Sequence, residues 1–478
     1  MCVASSRVDW PRRSSPCDDL AAMVGFDPKT ATEAEIIQRA ESLPGRLVGN
    51  LEDLVGGRSG QGKGDVGLTV ERFFGIAQNA LPEPDFPAAG IELKVVPLVH
   101  RGGSMRVKER TVITMIDYNS LVLETWTNAH VRRKLHILFV FFEHLPAESK
   151  ALFPIRAVLL WNPDAVTGAL LRADWERVRI KVRQGRATEL SESDGRVLGP
   201  CTKGTDSTTL RDQPFSSVRA KSRAFALKPA FTFQLYKNAV GQVEKVESLA
   251  ENIGLTGFDE FERLLLSRFD PYLGRTVGHV ADELKVPPSV AKSYAAAVVR
   301  RIFGTKDFKS KIIEFQETGL TLRISRVTPG SDPYESLSFP AFVISELLEE
   351  SWEDSDLLSK VEYMLVIPVI GNTKSTKQAE CALGAPVFWR PDVNQIETIR
   401  REYEIFRTEI RIGHADRLTP ASATSIIHVR PHARDARDTD VAPVIGPVIR
   451  KSFWINKGYV GRILRQEVSG TIGAASAT

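Results

Sequence analysis

The stretch PDFPAAGIELKVV, residues 84 to 96, places two carboxylates and an amine inside an otherwise apolar run. If IELKVV forms a β-strand, successive side chains point to opposite faces of the sheet. The apolar residues of the strand then share one face, and Glu92 and Lys94 share the other. Because Asp85 approaches the charged face from the preceding turn, the stretch predicts a strand with a charged cluster at its start.

Two carboxylates beside an amine suit the hydrolysis of a phosphodiester. Asp85 and Glu92 can hold a hard divalent cation, while the ammonium of Lys94 sits beside the attacking water. An ordinary salt-bridged strand with one exposed face contains the same residue types. The stretch by itself leaves both interpretations open.

The composition is that of a globular protein with more than one domain. The chain has 478 residues, more than one hydrophobic core usually serves, and its 42% apolar and 26% charged residues are ordinary values. The net charge of +4 permits a polyanionic partner such as a nucleic acid without requiring one.

Neither the cysteines nor the apolar runs indicate a secreted or membrane protein. The four cysteines are scattered, without a C-x-x-C pair, at Cys2, Cys17, Cys201 and Cys381. The stretch MCVASSRVDWPRRSSPC lacks the apolar core of a signal peptide, and the apolar run ILFVFF is too short to span a bilayer. We therefore expect a soluble, cytoplasmic protein with a loose N-terminal tail and no membrane contact.

The chain contains an internal repeat. Residues 40–94 align with residues 269–323 at a constant shift of 229, without a gap, and 13 of the 55 positions are identical. The similarity continues where ETWTNAHVRRKLHILFV, 124–140, matches ESWEDSDLLSKVEYMLV, 350–366, at a shift of 226. A period above 200 residues indicates a duplicated domain rather than a solenoid.

The repeat and the local patterns predict two tandem α/β (α+β) domains. TATEAEIIQRA and VGLTVERFFG show helix signals, with an N-terminal capping box in the first and Gly75 ending the second. LHILFVFF predicts a buried strand. The predicted boundaries are an N-terminal tail at 1–29, a first copy at 30–240, a linker at 241–254, a second copy at 255–470 and a C-terminal tail at 471–478.

The charged positions of the opening stretch change between the copies, whereas the residues around them persist. The first copy carries Glu71, Asp85, Glu92 and Lys94, and the second copy carries Arg300, Glu314, Thr321 and Arg323 at the aligned positions. With one acid left, the second copy cannot form the same site for a hard cation, and its added positive charge suits contact with phosphates. A salt bridge with a purely structural role gives no reason for all four positions to differ together, so the contrast favours a metal site in the first copy.

KGDVGLTVERFFG followed by PEPDFPAAGIELKVVPL resembles the MutH-like nucleases. These comprise mismatch-repair nickases and the Sau-type restriction endonucleases, which cut GATC. The resemblance implies tandem restriction-endonuclease-like domains, each with a mixed central sheet flanked by helices. It also implies a PD-(D/E)xK-type site with Glu71, Asp85, Glu92 and Lys94 at its four positions, in which Asp85, Glu92 and Glu71 serve Mg²⁺.

The resemblance extends beyond the site. LSESDGRVLGPCTKG, 190–204, is similar to the Sau-type LG-x-CTKG segment, and RAFALKPAFTF, 223–233, resembles a later family element ending in F-x-LK. In the family these segments approach DNA, so Lys203 and Lys228 are expected DNA contacts. The family often has an aromatic residue where this chain has Ala226. The duplicated layout is that of the Sau-type branch, in which the C-terminal copy is thought to bind another DNA site as an effector.

Other basic residues are candidate phosphate contacts. GRSGQGKG, 57–64, is similar to a phosphate-binding P-loop but ends in glycine instead of Ser or Thr, so we expect a loop in which Lys63 touches the DNA backbone. RVRIKVR, 177–183, alternates strictly and predicts a strand. Its basic face forms either a phosphate track or an ordinary solvated surface, and it carries Arg177, Arg179, Lys181 and Arg183. Arg300 and Arg323 are the further expected contacts in the second copy.

We therefore expect a bacterial type II restriction endonuclease that hydrolyses double-stranded DNA at a short site, GATC by resemblance, with Mg²⁺ and with 5′-phosphate products. A repair nickase and a DNA-binding protein without catalysis are the alternatives. Because one copy alone keeps the acids, cutting both strands predicts a transient homodimer on DNA. A host with such an enzyme also needs a companion methyltransferase.

Overall fold

The computed structural model describes residues 25–56, 64–77, 83–101, 103–203, 209–242, 246–247, 258–305 and 311–473. The predicted Lys63 and most of the predicted linker lie outside these residues. The helices are α1 (Glu33–Ala40), α2 (Val48–Val55), α3 (Asp65–Phe73), α4 (Tyr118–Leu121), α5 (His130–Arg133), α6 (Ala165–Arg183), α7 (Pro229–Ala239), α8 (Phe258–Phe269), α9 (Val277–Glu283), α10 (Tyr294–Ile302), α11 (Ile313–Thr318), α12 (Ile344–Glu349), α13 (Asp356–Val361), α14 (Val393–Arg411) and α15 (Lys457–Leu464).

The strands are interspersed with these helices along the chain. They are β1 (Glu92–Arg101), β2 (Ser104–Val107), β3 (Thr111–Met115), β4 (Ile137–Glu143), β5 (Ile155–Trp161), β6 (Leu198–Thr202), β7 (Leu210–Gln213), β8 (Ser216–Lys221), β9 (Arg223–Leu227), β10 (Val246–Glu247), β11 (Lys311–Ile312), β12 (Thr321–Val327), β13 (Leu337–Ser338), β14 (Met364–Ile370), β15 (Ala382–Leu383), β16 (Val387–Trp389), β17 (Ile427–Pro431), β18 (Thr439–Ala442), β19 (Gly446–Ile449), β20 (Lys451–Ile455) and β21 (Thr471–Gly473). The predicted α/β class is confirmed. Among the helices described, none is both long enough and apolar enough to cross a membrane.

The chain divides into two compact units that do not follow the order of the repeat. Unit 1 contains the residues up to Val99 together with Thr127–Pro163 and Leu235–Gln242, and unit 2 contains the rest. The domain boundaries proposed from the repeat stay a prediction. Unit 2 includes segments from both copies of the repeat.

The core of unit 1 is a sheet in which β4 is the central strand. β1 lies parallel to β4, with Glu92 opposite Ile137, and β5 pairs with β4 in the antiparallel direction. All seven residues of β4 are buried, as expected for a central strand covered on both faces. The predicted strands β1 and β4 are therefore confirmed.

Helices α1 and α3 of unit 1 match the predicted ones. Thr32 and Glu35 form the capping box of α1, and α3 is followed by Gly75, whose φ of 69° is the left-handed conformation that glycine tolerates. Arg39 of α1 donates from Nε to the carbonyl oxygen of Phe73 at 3.0 Å, which fixes α1 against the end of α3. The apolar faces of both helices belong to the same core as β1 and β4.

Unit 2 contains a sheet of the same design. β12 lies parallel to β14, with Thr321 opposite Met364, and β14 continues into β16 and β21. Thr321 is aligned with Glu92 in the repeat, and each begins the strand that pairs with a buried parallel neighbour. The structure thus shows the duplication at the level of strand register.

The long helices α6 and α14 are also repeated, with 19 residues each. A β-hairpin follows each helix, β7–β8 after α6 and β18–β19 after α14. A three-stranded sheet accompanies each hairpin, with the orders β3-β9-β6 and β13-β20-β17. These pairs of elements support the interpretation of the sequence repeat as a duplicated fold.

The prediction of a strand at 177–183 is wrong, because these residues form the last two turns of α6. Trp175, Val178 and Val182 are buried at spacings of three and four residues, which is the helical period, whereas Ile180 is exposed. Residues two positions apart lie on different sides of a helix. The four alternating basic residues therefore do not form one continuous face.

Candidate active site

A tight turn brings Asp85 to the start of β1. Phe86 and Ile91 exchange backbone hydrogen bonds of 2.9 and 3.2 Å across the turn. Gly90 closes the turn with a φ of 67°. Glycine adopts this conformation readily, whereas it is sterically unfavourable for a residue with a Cβ atom. One carboxylate oxygen of Asp85 then accepts a hydrogen bond of 2.9 Å from the backbone N–H of Leu93, so Asp85 lies beside the strand as the sequence predicted.

Glu92 is the centre of the charged cluster. It is 3% exposed, and the Nζ of Lys94 donates to its Oε1 at 2.7 Å. Burial of a carboxylate requires charged or polar partners, and Lys94 supplies one from two residues further along the same strand. The prediction that both side chains share one face of β1 is consistent with this contact.

Lys134 is a second cation at Glu92 that the sequence analysis did not identify. Its Nζ donates to Glu92 Oε1 at 3.2 Å and lies 3.1 Å from Oε2, although its angle to Oε2 does not make a hydrogen bond. Lys134 follows α5 and precedes β4, the strand that pairs with β1. One signal was present in the sequence, because Lys134 aligns with Lys360 in the second copy.

Glu71 on α3 completes the group of acids. Burial and the nearby charge of Asp85 raise the pKa of Glu71, and burial and the charge of Glu92 raise the pKa of Asp85. Each acid thus lies within electrostatic reach of the others. Three carboxylates against the ammonium groups of Lys94 and Lys134 leave one negative charge in excess, which a cation would neutralise.

The residues fit a magnesium ion by their chemistry. Mg²⁺ prefers oxygen ligands and commonly takes one or two carboxylates together with water and phosphate oxygens, so Asp85 and Glu92 suffice as protein ligands. In the part of the chain that the structure describes, no three His, Cys, Asp or Glu side chains form a closed ligand group. In the structure, the ammonium groups of Lys94 and Lys134 form ion pairs with Glu92.

The aligned positions in the second copy have a different character. Glu314 is buried on α11, Thr321 begins β12, and Arg323 stacks on the ring of Phe339 with its Cζ 5.0 Å from the ring centre. Arg300 lies exposed on α10. Glu314 is thus the one carboxylate among these four aligned positions, and the absence of a metal site in this copy stays a prediction.

The predicted DNA contacts differ in their accessibility. Lys203 is exposed at the end of β6. Lys228 is only 1% exposed, and its Nζ lies 3.5 Å from Glu362, so contact with DNA requires this side chain to leave Glu362. Arg179 pairs with Glu176 at 2.9 Å and Lys181 pairs with Asp194 at 2.5 Å. These assignments therefore stay predictions, and Lys203 is the most accessible of this group.

Comparison with known proteins identifies the same segment twice. A family model described as DNA mismatch repair enzyme MutH matches residues 74–174 and again residues 304–402. The first match contains Asp85, Glu92 and Lys94 together with Lys134. The second match contains the aligned positions Glu314, Thr321 and Arg323, of which Glu314 alone is an acid.

Whole-protein relatives separate into two lengths. The type II restriction enzyme Sau3AI of Staphylococcus aureus is 25% identical over 483 aligned residues, which cover 90% of this chain and 97% of that enzyme. The DNA mismatch repair protein MutH of Pectobacterium atrosepticum is 30% identical over 217 residues, 42% of this chain and 90% of that protein. MutH of Yersinia enterocolitica is 31% identical over 216 residues, with the same two coverages. The two MutH relatives thus correspond to part of the chain, and the restriction enzyme corresponds to nearly all of it.

Proposed function

The chain belongs to the MutH family, and from this premise we propose that it is a type II restriction endonuclease that hydrolyses double-stranded DNA with Mg²⁺. The observation that carries the proposal is the convergence of Asp85, Glu92 and Lys94, with Lys134, at the start of β1 in one copy alone. The similarity to a restriction enzyme over 90% of this chain supports restriction rather than another nuclease activity.

Each acid has a distinct role in this proposal. Asp85 and Glu92 would hold Mg²⁺, which when bound would withdraw charge from the phosphate and lower the pKa of water. Glu71 on α3 orients water at the site, because it lies within electrostatic reach of both metal-binding acids. The hydrogen bond from the Leu93 N–H holds the Asp85 carboxylate beside the start of the strand.

The two lysines of the site have different roles in this proposal. Lys94 holds the attacking water in line with the phosphorus and stabilises the charge that accumulates on the phosphate oxygens. Lys134 keeps Glu92 in place through the 3.2 Å hydrogen bond. The water oxygen bonds to phosphorus as the bond to the 3′ oxygen breaks, so the products are a 5′-phosphate and a 3′-hydroxyl that takes up the proton.

The proposal also covers the DNA sequence that is recognised and the number of chains that cut it. We propose GATC as the recognised site, from the resemblance to the Sau-type branch, and Lys203 as a DNA contact because it is exposed on the CTKG segment. One set of acids per chain cuts one strand at a time, so two chains meet on the DNA to cut both strands. A companion methyltransferase protects the host DNA.

Plasmid cleavage tests the proposal. Purified protein with Mg²⁺ should convert supercoiled plasmid into linear fragments with 5′-phosphate ends at GATC, and Glu92→Gln and Lys94→Met should each abolish cleavage while binding to DNA in Ca²⁺ persists. Lys150→Met is the matched control, because Lys150 pairs with Asp65 at 2.9 Å in the same unit and lies outside the charged cluster. Cleavage retained by Glu92→Gln would contradict the assignment.

A mismatch-repair nickase is the second candidate, favoured by the 30–31% identity of the MutH relatives to part of the chain. The same plasmid assay separates the two functions. Linear products without added proteins support restriction, whereas nicked circles that persist at high enzyme concentration support the nickase. A protein that binds DNA and never cuts it in Mg²⁺ would be the third possibility, a DNA-binding protein without catalysis.

A further inference from the structure

The strand β6 leads to the exposed Lys203, the DNA contact of the proposed function, and it lies at the edge of its sheet. In the described part of the chain this sheet has the order β3-β9-β6, which leaves β6 paired with β9 alone. Thr202 lies opposite Arg223 on β9, and the backbone N–H of Lys203 donates to the carbonyl oxygen of Ser222 at 2.8 Å. The last residues of an edge strand open readily when a single neighbour holds them. A second contact at this end would therefore affect how Lys203 meets DNA.

Glu192 supplies this second contact. Its Oε1 accepts from the hydroxyl of Thr202 at 3.2 Å and from Nη1 of Arg223 at 3.1 Å, so one oxygen joins the last residue of β6 to the residue opposite it. The same Nη1 donates to the carbonyl oxygen of Pro200 at 3.3 Å. The side chains of Arg223 and Glu192 are 4% and 7% exposed, so the two charges interact away from solvent. Glu192 and Arg223 together hold the end of β6 by a side chain and by the backbone.

The turn that carries Glu192 is itself anchored within unit 2. The Nζ of Lys181 on α6 lies 2.5 Å from Oδ1 of Asp194, two residues after Glu192. The hydroxyl of Ser193 donates to the carbonyl oxygen of Pro391 at 2.6 Å. A side chain acts as a firm support when its own backbone is held in place. Glu192 therefore reaches β6 from a fixed position.

Glu192 is ionised although it is buried. Burial alone would raise the pKa of Glu192, but the charges of Arg223 and Arg110 outweigh burial and lower this pKa. Arg110 is held in place by its own pair, because its Nη2 donates to Glu362 at 2.6 Å. Hydrogen bonds to an ionised carboxylate are stronger than those between neutral groups. Removal of the charge of Glu192 would therefore weaken its contacts with both Thr202 and Arg223.

We propose that Glu192 is a positioning residue for DNA recognition, which holds the end of β6 so that Lys203 meets DNA in a conformation already ordered in the free protein. A segment that is ordered before binding avoids the entropic cost of being ordered on binding. Glu192 is only 5% exposed, so it acts through β6 rather than by touching DNA. The inference rests on the proposed function, because the DNA contact of Lys203 belongs to it.

The test measures the Kd of a fluorescent duplex with a single GATC site, in Ca²⁺, for variants of the full chain. Glu192→Gln removes the charge with little change of shape, and its Kd should rise about tenfold, as expected for the loss of a hydrogen bond to a charged group. Thr202→Val removes the hydroxyl and should raise Kd as well, whereas Thr202→Ser keeps a hydroxyl and should bind like the wild type. A wild-type Kd in both Glu192→Gln and Thr202→Val would overturn the inference.

A double-mutant cycle with Lys203 separates positioning from a role in stability alone. If Glu192 acts through Lys203, Glu192→Gln should raise Kd in the wild-type background and change it little in a Lys203→Ala background, because the two residues affect the same contact. Thr202→Val should show the same dependence on Lys203. Equal factors in both backgrounds, or a wild-type Kd in Lys203→Ala, would contradict the positioning role.

Glu262→Gln is the matched control for the loss of a buried charge in unit 2. Glu262 is 2% exposed and, like Glu192, accepts from an arginine and a hydroxyl, namely Nη2 of Arg390 at 3.2 Å and the hydroxyl of Tyr363 at 3.0 Å. Both Gln variants should lower the Tm, because each leaves an arginine without its carboxylate. Glu262→Gln should nevertheless keep Kd within about twofold of the wild-type value. An equal rise of Kd in both Gln variants would refute the specific role of Glu192.

Cleavage in Mg²⁺ is scored separately from binding. At saturating duplex, kcat of Glu192→Gln should stay near the wild-type value, because the acids of the candidate active site are unchanged. A lower kcat together with a wild-type Kd would contradict the inference. A wild type that binds the duplex and never cleaves it refutes the proposed endonuclease, whereas the cycle in Kd still decides the role of Glu192.

Discussion

Removal of Lys134 should weaken DNA cleavage without abolishing it. Its ammonium lies within 3.2 Å of both oxygens of Glu92, whereas Lys94 contacts Oε1 at 2.7 Å. In Lys134→Met, Oε2 loses the cation beside it inside a site where Glu92 is 3% exposed. A hydrogen bond to a charged group contributes about 1.5–3 kcal/mol, which corresponds to a loss of about 10- to 150-fold in kcat/KM if it positions Glu92 for the reaction.

The assay is initial-rate cleavage of supercoiled plasmid at several Mg²⁺ concentrations. Because Lys134 positions Glu92, the loss in Lys134→Met should persist at saturating Mg²⁺, and Lys134→Arg should recover part of the rate by restoring a charged donor. Lys150→Met, which breaks the pair with Asp65 in the same unit, should cleave within about twofold of the wild type. A wild-type rate in Lys134→Met, or equal rates in the Met and Arg variants with intact folds, would refute the positioning role.

Three predictions concern stability. In denaturant titrations, Gly185→Ala should lower the free energy of unfolding by about 1–3 kcal/mol, because at a φ of 70° the new Cβ would lie 2.5 Å from the Phe215 carbonyl oxygen. Gly168→Ala should instead raise the free energy of unfolding by about 0.5–1 kcal/mol, because Gly168 lies inside α6 with open space around the new Cβ. Burial and a nearby carboxylate raise the pKa of Glu317 from 4.5 to about 7, so its favourable contribution is complete below pH 4.5 and is lost as the pH rises through 7. Relative to the wild type, Glu317→Gln should therefore raise the free energy of unfolding by up to about 3 kcal/mol at pH 8 and leave it unchanged at pH 4. Glu349→Gln, at an exposed position, is the control. An equal increase at both pH values would contradict the raised pKa of Glu317.

The structure of residues 84–96 could be predicted from the sequence because it depends on residues that are close together in the chain. The alternation of apolar and charged residues determined the faces of β1, and Gly90 permitted the turn that brings Asp85 to Leu93. The repeat predicted a second sheet with the same register, because residues aligned in a duplicated chain occupy equivalent places in the fold. These parts of the site required no knowledge of distant contacts.

The predictions that failed or were missing depend on contacts between distant segments. The seven residues at 177–183 alternate like a strand, but their valines also continue the helical spacing that starts at Trp175, and packing in unit 2 selects the helix. Lys134 reaches Glu92 across 42 positions of chain through the pairing of β4 with β1. The burial of Lys228 depends on Glu362, more than a hundred residues further on. Local periodicity contains no information about such partners.

The division of unit 1 into three chain segments has a consequence for synthesis. Its last segment, Leu235–Gln242, follows residues 164–234, which belong to unit 2. Within that segment the ring of Tyr236 packs 5.3 Å from the ring of Phe141 on β4, the strand beside Glu92. Because chains grow from the amino end and domains fold as their residues emerge, the unit that carries the acids is completed only after half of the protein has been made. A chain that terminates before residue 235 therefore carries every acid of the site on a unit that lacks its closing segment.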